Sequence, residues 1–306
     1  MPKLQDNARG NSMPIRGTID LLRLNTDVLW AGAEFSNLFL WKRVLNRASP
    51  KPCSRKPVLS IPGFSGPEFT LTPMTRYLCH LGFDAQTWGM GTNRGPKDGS
   101  MDYIDELADA MADKILRMAR ESGEKVSIIG HSLGGIYGRE LARRFPDHID
   151  RVITLGTPAH LDVMRSERSV NSLVGMLFKV RTGAHTRALI QGANGELHEM
   201  VTPPPGIPLV AIYSPYDGVV TEDTTAIPPE HLNIADGTPR ENIEIIASHC
   251  GMVVNPMVLI TIADRLLADV DNWQCYDPNK YIPSSMKIMS KGFFPAPINK
   301  SMVSNA

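Results

Sequence analysis

Cysteine is scarce in this chain: Cys53, Cys79, Cys250 and Cys275 are the four among 306 residues, and no CxxC pair occurs. That excludes a four-thiolate zinc cage and a thioredoxin-type pair, and so few bridges could not staple a chain of this length. Free thiols are expected. Net charge is also missing, with 32 Lys+Arg against 32 Asp+Glu. No excess of cations grips a phosphate backbone, so no nucleic-acid partner is expected. Long uninterrupted apolar runs are absent. The most apolar early stretch, Leu21 to Trp41, carries Arg23, Asp27 and Glu34, which a membrane span tolerates poorly. The first sixteen residues are polar, and no apolar segment with a cleavage site follows them. No secretory signal is expected, and the localisation read from this is cytoplasmic. Nor does any metal-ligand set show in the spacing of His, Cys, Asp and Glu.

What is present is an ordinary globular composition, 42% hydrophobic and 21% charged, long enough for one large core or two modest ones. Over residues 18–46 the apolar positions Leu21, Leu24, Val28, Ala31, Phe35, Leu38 and Leu45 recur at threes and fours, behind a plausible N-cap at Thr18. This predicts an amphipathic helix whose stripe packs on the protein's own core. A peripheral membrane contact or a dimer-forming surface is the alternative, because Trp30, Phe39 and Trp41 widen the apolar face. Oligomeric state is not legible. Residues 47–55 are a Pro-rich polar linker.

From residue 57 onward strands alternate with helices. Strands are predicted at Pro57–Ile61, Phe83–Met90, Val126–Ile129, Arg151–Leu155, Leu209–Tyr213 and Ile243–Ala247, with helices at 68–81, 101–120, Leu133–Phe145 and about 256–269. Such alternation means an α/β fold with a mostly parallel sheet covered by helices on both faces. Residues 159–207 are too long for a simple connection and read as an inserted cap. The expected organisation is a helix and linker over 1–55, one α/β domain over 56–276, and a tail over 277–306.

One run carries chemistry. Gly130-His131-Ser132-Leu133-Gly134 is G-x-S-x-G. A serine lifted on a sharp strand-to-helix turn needs tiny neighbours two residues away on each side. Given 25 Gly, the pattern arises by chance about 0.13 times in a chain of this composition. Context decides: the apolar strand Val126–Ile129 leads directly into it and a helical pattern follows.

With these residues the chain resembles the α/β-hydrolase superfamily, and most of all bacterial lipase- and esterase-like members carrying G-H-S-L-G-G. The resemblance runs from about Pro57 to Leu267. It implies the order serine, acid, histidine, each just beyond a strand. Asp217 occupies the acid's place after Leu209–Tyr213, with Glu222 and Asp223 as competitors; a plain Asx-turn aspartate is the bland reading. His249 occupies the base's place after the last strand, ahead of His198 and His231. Cys250 beside it reads as packing. The resemblance implies oxyanion donors at the Leu133 and Phe64 N–H groups. Pro62 stands where a histidine is common, which leaves open what orients the Phe64 loop. The run Trp88 to Pro96 follows the second strand on the same sheet edge, as a substrate contact or as a structural Gly-rich turn.

The implied activity is carboxylic ester hydrolysis in lipid metabolism, by Ser132, His249 and Asp217 through an acyl-enzyme, with no cofactor and no metal. Activity should fall on acidification through about pH 6–7 as the base is protonated. An acyltransferase or thioesterase using the same triad, or a non-catalytic binding protein of this fold, are the alternatives.

Overall fold

The computed structural model describes residues 26–38, 41, 45, 49–52, 55–95, 102–159, 203–220, 222–232, 236–277, 280–281 and 298–299. Most of the predicted cap, Thr18, Leu21, Leu24, Phe39, Cys53, His198 and the side chain of Ile104 lie outside them.

Helix α1 covers residues 26–38. Strand β1 (Pro57–Ile61) follows, then a 3-10 turn (Glu68–Leu71) and α2 (Thr72–Leu81). Next come β2 (Asp84–Thr87), α3 (Asp102–Ser122), β3 (Val126–His131), α4 (Leu133–Arg144) and β4 (Ile149–Leu155). After the described gap stand β5 (Leu209–Tyr213), two single-turn helices, α5 (Glu222–Thr225) and α6 (Pro229–Leu232), then β6 (Arg240–Glu244), α7 (Pro256–Leu266) and β7 (Ile298–Asn299). The sheet order is β2-β1-β3-β4-β5-β6-β7. All pairs are parallel except β6–β7.

Side chains alternate across the sheet, so the strands feed two separate core layers. On β5, Val210 and Ile212 face one layer with α2 and α7; Leu209 and Ala211 face the other with α3 and α4. The predicted helical stripes Met74, Leu78, Leu81 and Leu107, Ala108, Met111, Ile115, Met118 are all buried in these layers. No described helix is long and apolar enough to cross a membrane. Among the described residues Cys79, Cys250 and Cys275 form no disulfide.

Four expectations need correction. The last long strand is Arg240–Glu244, three residues earlier than predicted. Its polar residues hide it in a hydrophobicity pattern, yet three of them are partnered: Arg240 with the exposed Asp236, Glu241 with the buried Arg265, and Asn242 with both backbone groups of Ile227. The second strand is only Asp84–Thr87, because the chain turns away at Gly89. A seventh strand, β7, adds to the predicted six; two residues are too few to show a period. The first half of the α1 stripe does not pack inward. Val28 is 57% exposed and Phe35 44%, while Asp27 is 3% exposed and Glu34 1%. Only the end of the stripe, Leu38 and Leu45 with Trp41, joins the core.

Candidate active site

The parallel strands end on one edge of the sheet, and the loops leaving β1, β3, β4, β5 and β6 meet there. Ser132 follows β3 with φ 52 and ψ −123, a conformation that costs a non-glycine residue about 1–3 kcal/mol and that surrounding bonds must hold. They do so: Ser132 N–H donates to the Leu155 carbonyl at 2.8 Å, and its own carbonyl accepts from Thr157 Oγ1 at 2.9 Å and Gly135 N–H at 3.0 Å. The two flanking glycines are required by contact. A Cβ on Gly130 would lie 2.3 Å from Gly135 Cα, and one on Gly134 would lie 2.4 Å from the Ile61 carbonyl oxygen.

Asp217 follows β5 and His249 follows β6. Their side chains are nearly fully buried, and Asp217 Oδ2 lies 2.7 Å from His249 Nδ1. The other oxygen, Oδ1, accepts from the N–H groups of Val219 and Val220 at 2.8 and 2.7 Å. The Asx turn and the histidine contact therefore coexist on one carboxylate. Glu222 and Asp223 lie in α5, and His231 in α6. Burial alone would lower the His249 pKa, but the charge and hydrogen bond of Asp217, with Asp27 behind them, hold it above the usual imidazole value. Burial first, then Asp27, pushes the Cys250 thiol up to about 12, so it is no thiolate.

Ser132 is half-buried beside this pair, without a hydrogen bond from its hydroxyl to His249 among the described residues. The neighbouring His131 touches His249 directly: its Nε2 lies 2.9 Å from the His249 carbonyl, and the two rings are 4.8 Å apart. A carbonyl only accepts, so Nε2 carries the proton. Burial first, then the charge of His249, lowers His131 to about 3, so it stays neutral.

Leu133 opens α4, where an N–H has no intrahelical acceptor. Phe64 adjoins Gly63, whose added Cβ would sit 3.0 Å from Ser132 Cβ. Both residues named as oxyanion donors thus flank the serine. The sequence left open what orients the Phe64 loop, and Asn93 supplies the answer. It is fully buried; its Nδ2 donates to the Pro62 carbonyl at 2.7 Å, its carbonyl accepts from Ser65 N–H at 2.6 Å, and its N–H donates to Gly66 at 3.0 Å. The 91–95 turn is therefore structural at this residue. No spacing signalled that role; the polar residue in a glycine-rich turn was the only hint.

Residues 87–177 match the family model described as alpha/beta hydrolase fold. With the strand order above, that decides the architecture. This is the α/β-hydrolase fold. No curated protein matches the sequence. Among solved structures, this chain is similar to the mature Bacillus licheniformis lipase BlEst2, at 16% identity and TM-score 0.43, over 71% of this chain and 94% of that one. It is similar to Aspergillus fumigatus lipase B at 20% identity and TM-score 0.47, over 74% and 57%. A hydrolase from Oleispira antarctica gives 12% identity and TM-score 0.44, over 71% and 92%.

Proposed function

We propose that the protein is a serine hydrolase that cleaves carboxylic esters. The observation that carries this reading is the 2.7 Å pairing of His249 Nδ1 with Asp217 Oδ2 beside a strained serine on the same sheet edge. With Nδ1–H donated to Asp217, Nε2 is the basic nitrogen. It takes the Ser132 proton as Oγ attacks the ester carbonyl, and Asp217 stabilises the imidazolium. The Leu133 and Phe64 N–H groups receive the developing oxyanion, a donor type worth about 2.7–4 kcal/mol in a measured case. The alcohol leaves with the proton from His249. Water, deprotonated by the same nitrogen, then hydrolyses the acyl-enzyme. No step calls for a cofactor or metal. An apolar acyl group suits Phe64, Leu133 and the 15 methionines of the chain.

Purified protein is expected to cleave p-nitrophenyl acyl esters. Ser132→Ala or His249→Ala should lower the rate by about 10⁴-fold or more in folded protein; full activity in either folded variant overturns the proposal. Product analysis with an added alcohol or thiol acceptor separates hydrolysis from acyl transfer, and no turnover of any acyl donor would point to a binding protein.

The outward residues of α1 also favour contact with a lipid surface. Val28, Leu29, Trp30 and Phe35 are exposed, and Trp30 stacks with exposed Tyr216 beside Asp217. The protein is expected to float with anionic vesicles, and Leu29→Ser/Trp30→Ser to abolish this. Equal flotation of both proteins would contradict the contact.

A further inference from the structure

Two carboxylates on α1 are buried and point at the loop that carries His249. Asp27 and Glu34 lie two helical turns apart on one face. Asp27 accepts three backbone N–H groups: Oδ2 from Gly218 at 3.1 Å and from His249 at 2.6 Å, Oδ1 from Cys250 at 3.0 Å. Gly218 is the residue after Asp217. A single carboxylate therefore ties the acid's loop to the base's own backbone. Glu34 grips the same loop further along, accepting from the Ser248 N–H and hydroxyl and from Asn255 Nδ2 at 2.7 Å. Gly251 makes that seat, since a Cβ there would stand 1.7 Å from Glu34 Oε2.

A buried carboxylate is costly unless amides or cations replace its water. Here the replacing groups belong to residues 218, 248, 249 and 250 of the two loops and to Asn255, the N-cap of α7, not to the sheet. The seat is thus built around the two loops that hold the acid and the base. His249 is fixed at three points: its N–H by Asp27, its carbonyl by His131 and its Nδ1 by Asp217.

We propose that α1 is a strap completing the active site, with Asp27 the residue that positions His249 and Glu34 its second anchor. This rests on the reading of His249 as the base. Asp27 acts through His249 and touches no reacting atom. The charged and titratable groups facing His249 are Asp217 from the β5 loop, Asp27 from α1 and His131 from the β3 end, with Cys250 next in sequence and Glu34 behind Ser248. His131 is neutral, and Asp217 and Asp27 are the two anions whose charge favours the imidazolium. Removing one of them must weaken the proton's hold.

The test is an NMR titration of the His249 imidazole in the unsubstituted protein, Asp27→Asn and Asp27→Glu, with ester hydrolysis followed in parallel. Asp27→Asn is expected to lower the imidazole midpoint by about one pH unit and to reduce kcat more than KM. Asp27→Glu, which keeps the charge, should retain the midpoint. A folded Asp27→Asn with an unmoved midpoint overturns the proposal, because a helix that merely adds stability would not shift it. Should Asp27→Asn not fold, Gly251→Ala leaves Asp27 in place and evicts Glu34. It should lose hydrogen-exchange protection at the Ser248 amide, which Glu34 holds; full protection there with full kcat also overturns the strap. The titration reads His249 whether or not esters are cleaved. A midpoint shift without turnover would sink the hydrolase reading and leave the strap, whereas turnover without a shift would do the reverse.

Discussion

One oxygen of Asp217 serves its own turn and the other serves His249, so the carboxylate is oriented before any substrate arrives. The consequence is a pH dependence with a definite sign. The fold raises the His249 pKa, so the imidazole stays protonated to higher pH than a free one. As a general base it works only when neutral. The acidic limb of kcat/KM is therefore expected above the ordinary imidazole value of about 6.5; a limb below that value would contradict the assignment. The same shift stabilises the fold fully below the unfolded pKa, and that contribution is lost as pH rises through the folded one. Asn93 makes a second residue-scale prediction. Asn93→Ala frees the Pro62 carbonyl and should lower kcat by up to about 100-fold through a misplaced Phe64 amide, with KM changing far less. Ser132, Asp217 and His249 could be named as candidates because each residue type follows an apolar run in the order serine, acid, histidine, although the strand before His249 ends at Glu244. Asn93, His131 and Asp27 could not. Their partners are backbone groups remote in sequence, and hydrogen bonds to backbone leave no pattern of residue types.

At the scale of elements, the turn between β3 and α4 is the least forgiving. Gly134→Ala would place a methyl 2.4 Å from the Ile61 carbonyl oxygen, a rigid backbone atom. The turn must then shift, and ester hydrolysis should fall to the level of Ser132→Ala even where far-UV circular dichroism is retained; a fully active Gly134→Ala would refute the steric account. The strands β1, β3 and β5 were legible as apolar runs bounded by turn residues. Strand β6 was misplaced because RENIE is polar, and only the fold supplies Asp236, Arg265 and Ile227 to satisfy it. Helix α1 was misread in the same way. Its apolar spacing is truly helical, but two hydrogen-bonded carboxylates decide which face turns inward, so Val28 and Phe35 are left outside. Periodicity reports a helix; it does not report what the buried face bonds to.

Across the whole molecule, the sheet delivers Ser132, Asp217 and His249 from β3, β5 and β6 to one edge, while the far end of β6 is clamped separately. There Arg265 of α7 pairs with Glu241 at 2.7 Å and with Asp264, and Glu241 also accepts from Tyr276 N–H at 2.6 Å. Arg265→Met removes the guanidinium from a fully buried Glu241, which should cost about 3–5 kcal/mol, read as a lower urea midpoint. Ester hydrolysis per folded molecule should be unchanged, because the clamp sits at the opposite end of β6 from the His249 loop. The central claim is that this edge activates Ser132. A fluorophosphonate probe followed by peptide mapping tests it most directly. The label is expected on Ser132 in the unsubstituted protein and should be lost in His249→Ala. Folded protein that takes no label, or takes it on another residue, would contradict the account.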